Sequence, residues 1–600
     1  MGKVLRNKNK KSDAWQNIIL FVIGALIAAA FFVRFVNITT TFSHYDDTGV
    51  AADILYSKES VPKMIDHFEG KTIFFKDENS YQYRIASMIY KTGLMRPLEP
   101  VLKIFLPMMT IWFVWSYAPL QFFITGFLIN SSQSYQQILF FGRLPSAIFS
   151  CLTLIVAYFA LRKAMPQKKT PLILAGVLAI IAFSWEAIIY ANHMSNYALG
   201  LLITTLVLLL LVSYTANNPR KINNPILIGI LLAVASYSQY HTFPFIMAFF
   251  AAILVYYYPH YKENKTDLLK KLAVMFAVWL ILAIPTFALA ALRLSPDATA
   301  WNQGPNKEYF FSFGAQPTFL SKAYYTIDFM AVNSFKVLQN LILPSHPAGI
   351  LAGVITITIT VMCAAGIISF LRRKPMLSNH VRIFALSSII FFYSIVVLNR
   401  ITLSPTRHTL NLLPIVLVLC LEGILFVSLP ISTLFKRAHD WKKTADVVAS
   451  IISVVLLVLI LTAFTLNYNT ISKERRDKFI ESELILLARD NNAEAIVTDS
   501  FAPTLMKNLD AQYPVILMGR DELNFTPERM LWLTQQAPLQ SPQQYETRFK
   551  RLISPAFNST SSDYELERYW TSRSGVSMDF DNSTDSGYNE VHAYLLFKKS

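Results

Sequence analysis

Two adjacent carboxylates, Asp46 and Asp47, stand in the stretch TFSHYDDTGVAADIL, directly after the first long apolar run of the chain. A carboxylate at a membrane surface suits one task in particular: taking a proton from a hydroxyl while that hydroxyl attacks an electrophilic carbon. If the substrate is a sugar on a polyprenyl phosphate, the phosphate departs as a stable anion and needs no general acid. One base, a route for the lipid tail and a few cations or polar donors for the phosphate are then enough. Adjacent side chains at a helix start diverge by about 100°, so one of the pair faces the reaction while the other binds acceptor, orients the site or touches a metal. They are not the two facing carboxylates of a soluble glycosidase. Either residue also suits a plainer role, capping a helix that begins near Thr48, where negative charge meets the positive helix end. The two roles are compatible.

The surrounding chain is built for a bilayer. Of its 600 residues 54% are hydrophobic, 14% aromatic and only 15% charged, and mean hydropathy is positive, which is a membrane composition. Apolar runs able to cross a hydrocarbon slab of about 30 Å recur at 15–37, 144–163, 171–190, 197–214, 225–240, 242–258, 271–291, 347–371, 381–398, 409–429 and 446–467. The first follows the basic KVLRNKNKKSD, yet it is longer than the apolar part of a signal peptide and no small-residue cleavage site follows it. With this odd number of crossings the cation-rich segments KNKKS, LRKAMPQKK, NNPRKINN, HYKENKTDLLKK, FLRRKP and LFKRAHDWKK all fall on one side, the cytoplasmic one. Topology thus accounts for most of the +16 net charge. The cations are scattered between spans and form no continuous stripe, so nucleic acid is not the expected partner.

The opposite, external side receives the loops around Asp46, His193, His241, Asn302 and Arg407, and everything after residue 468. The loop 38–143 is too long for a plain connector. Its stretches GVAADILYSK and YQYRIASMIYKTGLM have helical apolar spacing, as helices lying along a membrane face would. The run from Glu99 to Asn130 is apolar but carries Pro107 and Pro119, which predicts interfacial or re-entrant helices; counting it as one clean span would put LRKAMPQKK outside. The tail from 468 to 600 turns polar and reads as helix (ERRDKFIESELILLARDN), strand (AEAIVTDS), helix (APTLMKNLDAQ), strand (PVILMG), helix (TPERMLWLTQQ), helix (SPQQYETRFKRLI), loops rich in Ser, Asp and Asn, and a last strand (HAYLLFK). That alternation predicts a small α/β domain. It carries no Gly-rich phosphate loop and no triad pattern. All three cysteines, Cys151, Cys363 and Cys420, lie in apolar spans, which leaves no disulfide framework for the external parts.

Four motifs in order carry a resemblance. HYDDTGVA follows the first span, SYAPLQFFITGFL opens an interfacial helix, GRLPSAIFSCLTLIVAYFALRK begins the next span, and HMSNYALGLLI comes later on the same side. The set resembles the GT-C superfamily of polyprenyl-phosphate-sugar glycosyltransferases, in the branch of protein O-mannosyltransferases and bacterial aminoarabinose transferases (the family 39/83 type), well over residues 15–290 and in outline beyond. The family pair is usually Asp-Glu and stands here as Asp46-Asp47, which leaves open which of the two is the base. An Arg before the family's Tyr-Ala-Leu element is replaced by Ser195 or Asn196. The resemblance implies a mainly α, polytopic GT-C fold with about eleven transmembrane helices at 1–467, a first external loop at 38–143, a second at 292–346 and an external α/β domain at 468–600. It implies an inverting transfer of a sugar from an undecaprenyl- or dolichyl-phosphate carrier to a glycan, lipid or protein acceptor. The expected place is the outer face of the plasma membrane, the inner membrane of a bacterial cell envelope, with the N-terminus cytoplasmic and the tail periplasmic.

The resemblance also sets Tyr45 and Arg143 beside the substrate. Lys307 and Asn302, in WNQGPNKEYFFSFG, fall in the loop that covers the donor in the family; Lys307 reads equally as a phosphate contact and as a solvated lysine. Arg407 and His408, in SPTRHTLNLLP, lie where external positive charge is scarce, and a guanidinium suits phosphate because its planar fork donates two bonds together. His241, in YHTFPF, reads as an acceptor-site residue or as a local hydrogen-bonding one. A divalent cation is a candidate cofactor, since Asp46, Asp47, Glu78 and His44 offer oxygen and nitrogen ligands, although no spacing among them selects an ion. Two other classes compete. A transporter or lipid flippase predicts repeated halves or charges buried at mid-membrane, and Glu422 is the main instance of the latter. A membrane scaffold keeps the fold without the chemistry.

Overall fold

The computed structural model describes residues 2–36, 38, 45–72, 81–114, 118–166, 170–216, 224–260, 265–292, 318–342, 349–372, 376–398, 403, 407–434, 441–476, 480–498, 515–517, 526–534, 546–547, 549, 563–573 and 590–599. In chain order the helices are α1 (Gly2–Phe35), α2 (Tyr45–Phe68), α3 (Tyr81–Lys91), α4 (Glu99–Val114), α5 (Leu120–Leu128), α6 (Tyr135–Ala164), α7 (Leu172–Ala182), α8 (Trp185–Ala191), α9 (Tyr197–Ala216), α10 (Pro225–Ser238), α11 (Phe243–His260), α12 (Lys265–Leu292), α13 (Phe319–Ile342), α14 (Gly349–Leu371), α15 (Asn379–Val397), α16 (Leu413–Leu434), α17 (Trp441–Arg476) and α18 (Ile480–Asp490). Short 3-10 turns at Tyr240–Thr242 and Arg407–Leu412 precede α11 and α16.

The chain divides into two compact units. The first comprises Met1–Val36, Ser146–Asn192 and Asn196–Thr470; the second comprises Asn37–Pro145, His193–Ser195 and Ile471–Ser600. Among the described residues seven helices are long and apolar enough to cross a bilayer, the pair α7 and α8, bent by 58°, has that length and composition only when taken together, as a broken span or a re-entrant loop, and three shorter apolar helices occupy the remaining expected spans. The fold is therefore a mainly α, polytopic membrane architecture with a small sheet in the tail.

In the first unit α7 is buried along its whole length from Ile173 to Ala182, as a helix apolar on every side should be. By contrast α17 turns Ile451, Val454, Val455 and Val458 outward while Ala449, Leu456, Ile460 and Ala463 are buried, which is the lipid face and bundle face of one helix. In lipid, apolar side chains gain little by leaving their surroundings, so helices associate through close packing of small residues. Gly366 of α14 and Gly423 of α16 show it: a Cβ on the first would collide with the Leu419 carbonyl, and one on the second with the Met362 carbonyl.

In the second unit five strands form one sheet in the order β2-β1-β3-β5-β4: β1 (Ala495–Thr498), β2 (Val515–Leu517), β3 (Arg529–Thr534), β4 (Tyr564–Arg573) and β5 (Glu590–Lys598). The pairs β1/β2 and β1/β3 are parallel, while β3/β5 and β4/β5 are antiparallel. One face packs Ile496, Leu531, Leu533 and Leu595 against Leu484, Ile485 and Ala488 of α18.

Several expectations are corrected here. TPERMLWLTQQ, expected as a helix, contributes strand β3; its residues from Met530 to Thr534 are all buried between β1 and β5, and a central strand covered on both faces reads as a continuous apolar run with no period of two. The region expected as Ser/Asp/Asn loops contains β4, whose alternation is broken by a bulge between Leu566 and Arg568. Helix α4 continues through Pro107, where a break was expected, and α5 begins directly after Pro119. The expected helix APTLMKNLDAQ lies outside the described residues, as does most of SPQQYETRFKRLI.

Candidate active site

The aspartate pair lies inside α2, which begins at Tyr45, three residues before the expected start, so both residues occupy its first turn rather than its cap. Negative charge there is favoured by the amide ends of the helix. The side chains of Tyr45, Asp46 and Asp47 lie outside the described residues. The next turns of the helix are packed into a core. Val50, Ala51, Ala52, Ile54 and Leu55 of α2 form one buried cluster with Phe122 of α5, Ile129 just after it, Tyr135, Ile138 and Leu139 of α6, and Met194. Residues from or directly beside all four motifs that carry the family resemblance thus pack together in the second unit.

Two polar contacts hold this cluster. Arg143, of the Arg-Leu-Pro-Ser-Ala element, is fully buried and donates from Nη1 to the carbonyl of Ile38 at 2.9 Å. It thereby fixes the chain just before the aspartate pair to a position 105 residues onward. Lys58, about one turn past Leu55 in α2, donates to the Ile129 carbonyl at 2.5 Å, and burial lowers its pKa. At the far end of α2 an exposed fork closes the turn: Arg96 Nε and Nη2 donate to the two carboxylate oxygens of Glu69, each at 2.6 Å. Arg96, then Lys71, through hydrogen bonds to that carboxylate, hold the Glu69 pKa down to about 2.

The first unit gathers a second polar group where helix ends meet. Asn411, in the Arg407–Leu412 turn, donates from Nδ2 to Gln239 Oε1 at 2.9 Å, and Gln239 Nε2 lies 3.5 Å from Nδ1 of His241 in the Tyr240–Thr242 turn. Both turns pack against α9 and against each other. Gly200, in the YALG of the Tyr-Ala-Leu motif, is required there, because a Cβ would collide with Gln239 Oε1. Arg407 and His408 open the same 3-10 turn as Asn411, with side chains outside the described residues. Asn302 and Lys307 lie outside them altogether, as do the metal candidates His44 and Glu78.

The interior charges are engaged by the protein. Arg34, fully buried near the end of α1, donates from Nε to Ser150 Oγ (2.7 Å), from Nη1 to the carbonyls of Ala30 (3.0 Å) and Ala182 (2.8 Å), and from Nη2 to that of Ile181 (3.0 Å). It closes the carbonyl end of α7 at the bend into α8, where the helix leaves those oxygens without amide partners. Glu422 accepts from Ser369 Oγ and from the backbone amides of Met376 and Leu377, both at 2.8 Å. The main charge that favoured a transporter is therefore a clamp on the turn before α15. Among the described residues no group of three or more His, Cys, Asp or Glu could hold a metal ion.

Sequence reasoning missed Gln239, Asn192, Asn411 and Arg34. The signal was faint: each is a polar residue near the edge of an apolar run, a position that interfacial residues commonly fill.

No protein-family model matches the chain, and no curated protein matches it. Among solved structures it is similar to ArnT from Cupriavidus metallidurans bound to undecaprenyl phosphate, with 11% identity, 95% of this chain and 97% of that chain covered, and a TM-score of 0.44. It is likewise similar to ArnT from Cupriavidus metallidurans in the apo state, with 12% identity, the same coverage and a TM-score of 0.42.

Proposed function

We propose that this chain is a membrane glycosyltransferase of the GT-C type that moves a sugar from a polyprenyl-phosphate carrier to an acceptor hydroxyl on the outer face of a bacterial plasma membrane. The supporting observation is the single buried cluster that joins the four motif regions, together with the bond from Arg143 to Ile38 that ties two of them. Scattered look-alike tetrapeptides would have no reason to share one core.

In this reading the carboxylate of Asp46 or Asp47 takes the acceptor proton as the oxygen attacks the anomeric carbon. The prenyl phosphate leaves from the opposite face, and the product is inverted. Arg407, and Lys307 in the segment before α13, serve the phosphate. The donor is lipid-linked, so its energy is already stored in the bond to phosphate and no nucleotide-binding fold is needed. A divalent cation near the pair would assist phosphate departure by neutralising charge.

The test is mass spectrometry of envelope glycans and lipids from cells carrying the wild type, Asp46→Asn, Asp47→Asn or both substitutions together. The base variant should lose the added sugar mass by about a thousandfold or more, the scale of a missing general base, with protein level and melting unchanged. Full sugar transfer by the double variant would eliminate the mechanism.

A further inference from the structure

Among the buried side chains of the first unit that keep one polar atom unmet, two are amides at helix ends that pack together. Asn411 is 1% exposed and Asn192 is fully buried, and the Oδ1 of each meets no donor. Their amide nitrogens are used: Asn411 Nδ2 on Gln239, and Asn192 Nδ2 on the Ile188 carbonyl at 3.1 Å. The Ile188 carbonyl sets the Asn192 amide with its nitrogen inward, and Asn411 turns its nitrogen to Gln239, so the groups left over are acceptors. A buried acceptor without a donor is costly, and native proteins seldom keep one without use for it.

Both lie at helix ends. Asn192 terminates α8, Asn411 sits in the turn before α16, and α8 packs against that turn. The amide of Asn411 is also held: Gln239 receives its nitrogen, and Gly200 leaves room for Gln239. A ligand that meets such oxygens must bring hydrogens or positive charge. A cation would do so, but Arg407 and His408 open the same turn and weigh against added positive charge. Hydroxyl groups bring hydrogens with no charge.

Resting on the transfer reading above, we propose that Asn192 and Asn411 form a sugar-recognition subsite in the first unit, in which their Oδ1 atoms accept hydrogen bonds from hydroxyls of the sugar on the lipid carrier. The subsite reads the sugar and leaves the phosphate and the prenyl tail to other residues. It therefore sets which carriers are used, because a site with buried unpaired acceptors discriminates against a ligand that lacks the matching hydroxyls.

The experiment uses the full chain in lipid nanodiscs and measures binding of two probes by native mass spectrometry: a polyprenyl phosphate, and the same lipid carrying mannose. The wild type should prefer the mannosyl lipid. Asn192→Leu and Asn411→Leu should each reduce that preference about tenfold, the equivalent of one good hydrogen bond, while binding of the bare lipid stays within twofold. Asn192→Leu is the cleaner variant, since it removes only a bond within its own turn; Asn411→Leu also strips Gln239 of its donor. Melting temperatures unchanged or raised would show that the amides are not needed for folding. A mannosyl preference that survives both substitutions overturns the subsite and leaves the transfer reading intact. A wild type that binds neither lipid overturns the transfer reading and the subsite with it.

Discussion

The interior of the helix bundle and its helix-end turns treat polar groups in opposite ways. Arg34 and Glu422 carry full charges inside an apolar core, yet their hydrogen bonds reach backbone groups that the helices themselves leave over: the carbonyl end of α7 and the amides before α15. Asn192 and Asn411 carry no charge and sit at the ends of elements, yet each keeps an acceptor oxygen unmet. The difference teaches that formal charge is a poor guide to function in this chain. Arg34 and Glu422 close the ends of helices, whereas these two neutral amides keep an unmet oxygen.

That contrast can be broken most severely at Arg34. Replacing it with Met keeps the volume but leaves the Ile181 and Ala182 carbonyls without a donor in an apolar interior, at a cost on the order of 3 kcal/mol. Thermal unfolding in detergent should show a fall of several degrees, and a variant as stable as the wild type would refute the closing role. A smaller effect is expected at Gly200. Gly200→Ala forces Gln239 aside, with an overpacking cost of about 1–2 kcal/mol, and should weaken the mannosyl-lipid preference several-fold through Asn411; unchanged preference would show that Gln239 does not position that amide. The smallest effect belongs to the exposed Glu69 fork. Its folded pKa, about 2, lies below the ordinary 4.5, so the stabilisation is complete above about pH 4.5 and is lost as pH falls toward 2. Amide exchange in the turn from Glu69 to Lys71, corrected for intrinsic rate, should quicken at pH 3 relative to pH 6 while the sheet is unaffected.

Much of the membrane part was legible in the sequence, because one rule, the length of an apolar run against the thickness of a bilayer, governs each span separately. The three short helices α9, α10 and α11 stand where the apolar runs placed them, although their apolar parts are shorter than that of α17. The tail was harder. RMLWLT has the same composition as a buried helical turn, and only pairing with β1 and β5, set by residues 35 and 64 positions away in the registers Ile496 with Leu531 and Leu531 with Leu595, decides for a strand. β4 hid behind a bulge that shifts its alternation between Leu566 and Arg568. In the candidate site the motifs pointed to α2 and Arg143, but nothing local marks Gln239 or Asn411, whose importance comes from a contact across 172 positions.

The paired glycines of α14 and α16 carry an evolutionary consequence. With Gly366 set on the Leu419 carbonyl and Gly423 on that of Met362, each helix has surrendered one position to the main chain of the other. A lineage that gains a methyl group at either position must separate the two rods and lose the second close approach as well. Drift along this seam is therefore blocked in one step, whereas exposed neighbours such as Val361 and Ile368 are free to exchange among apolar types.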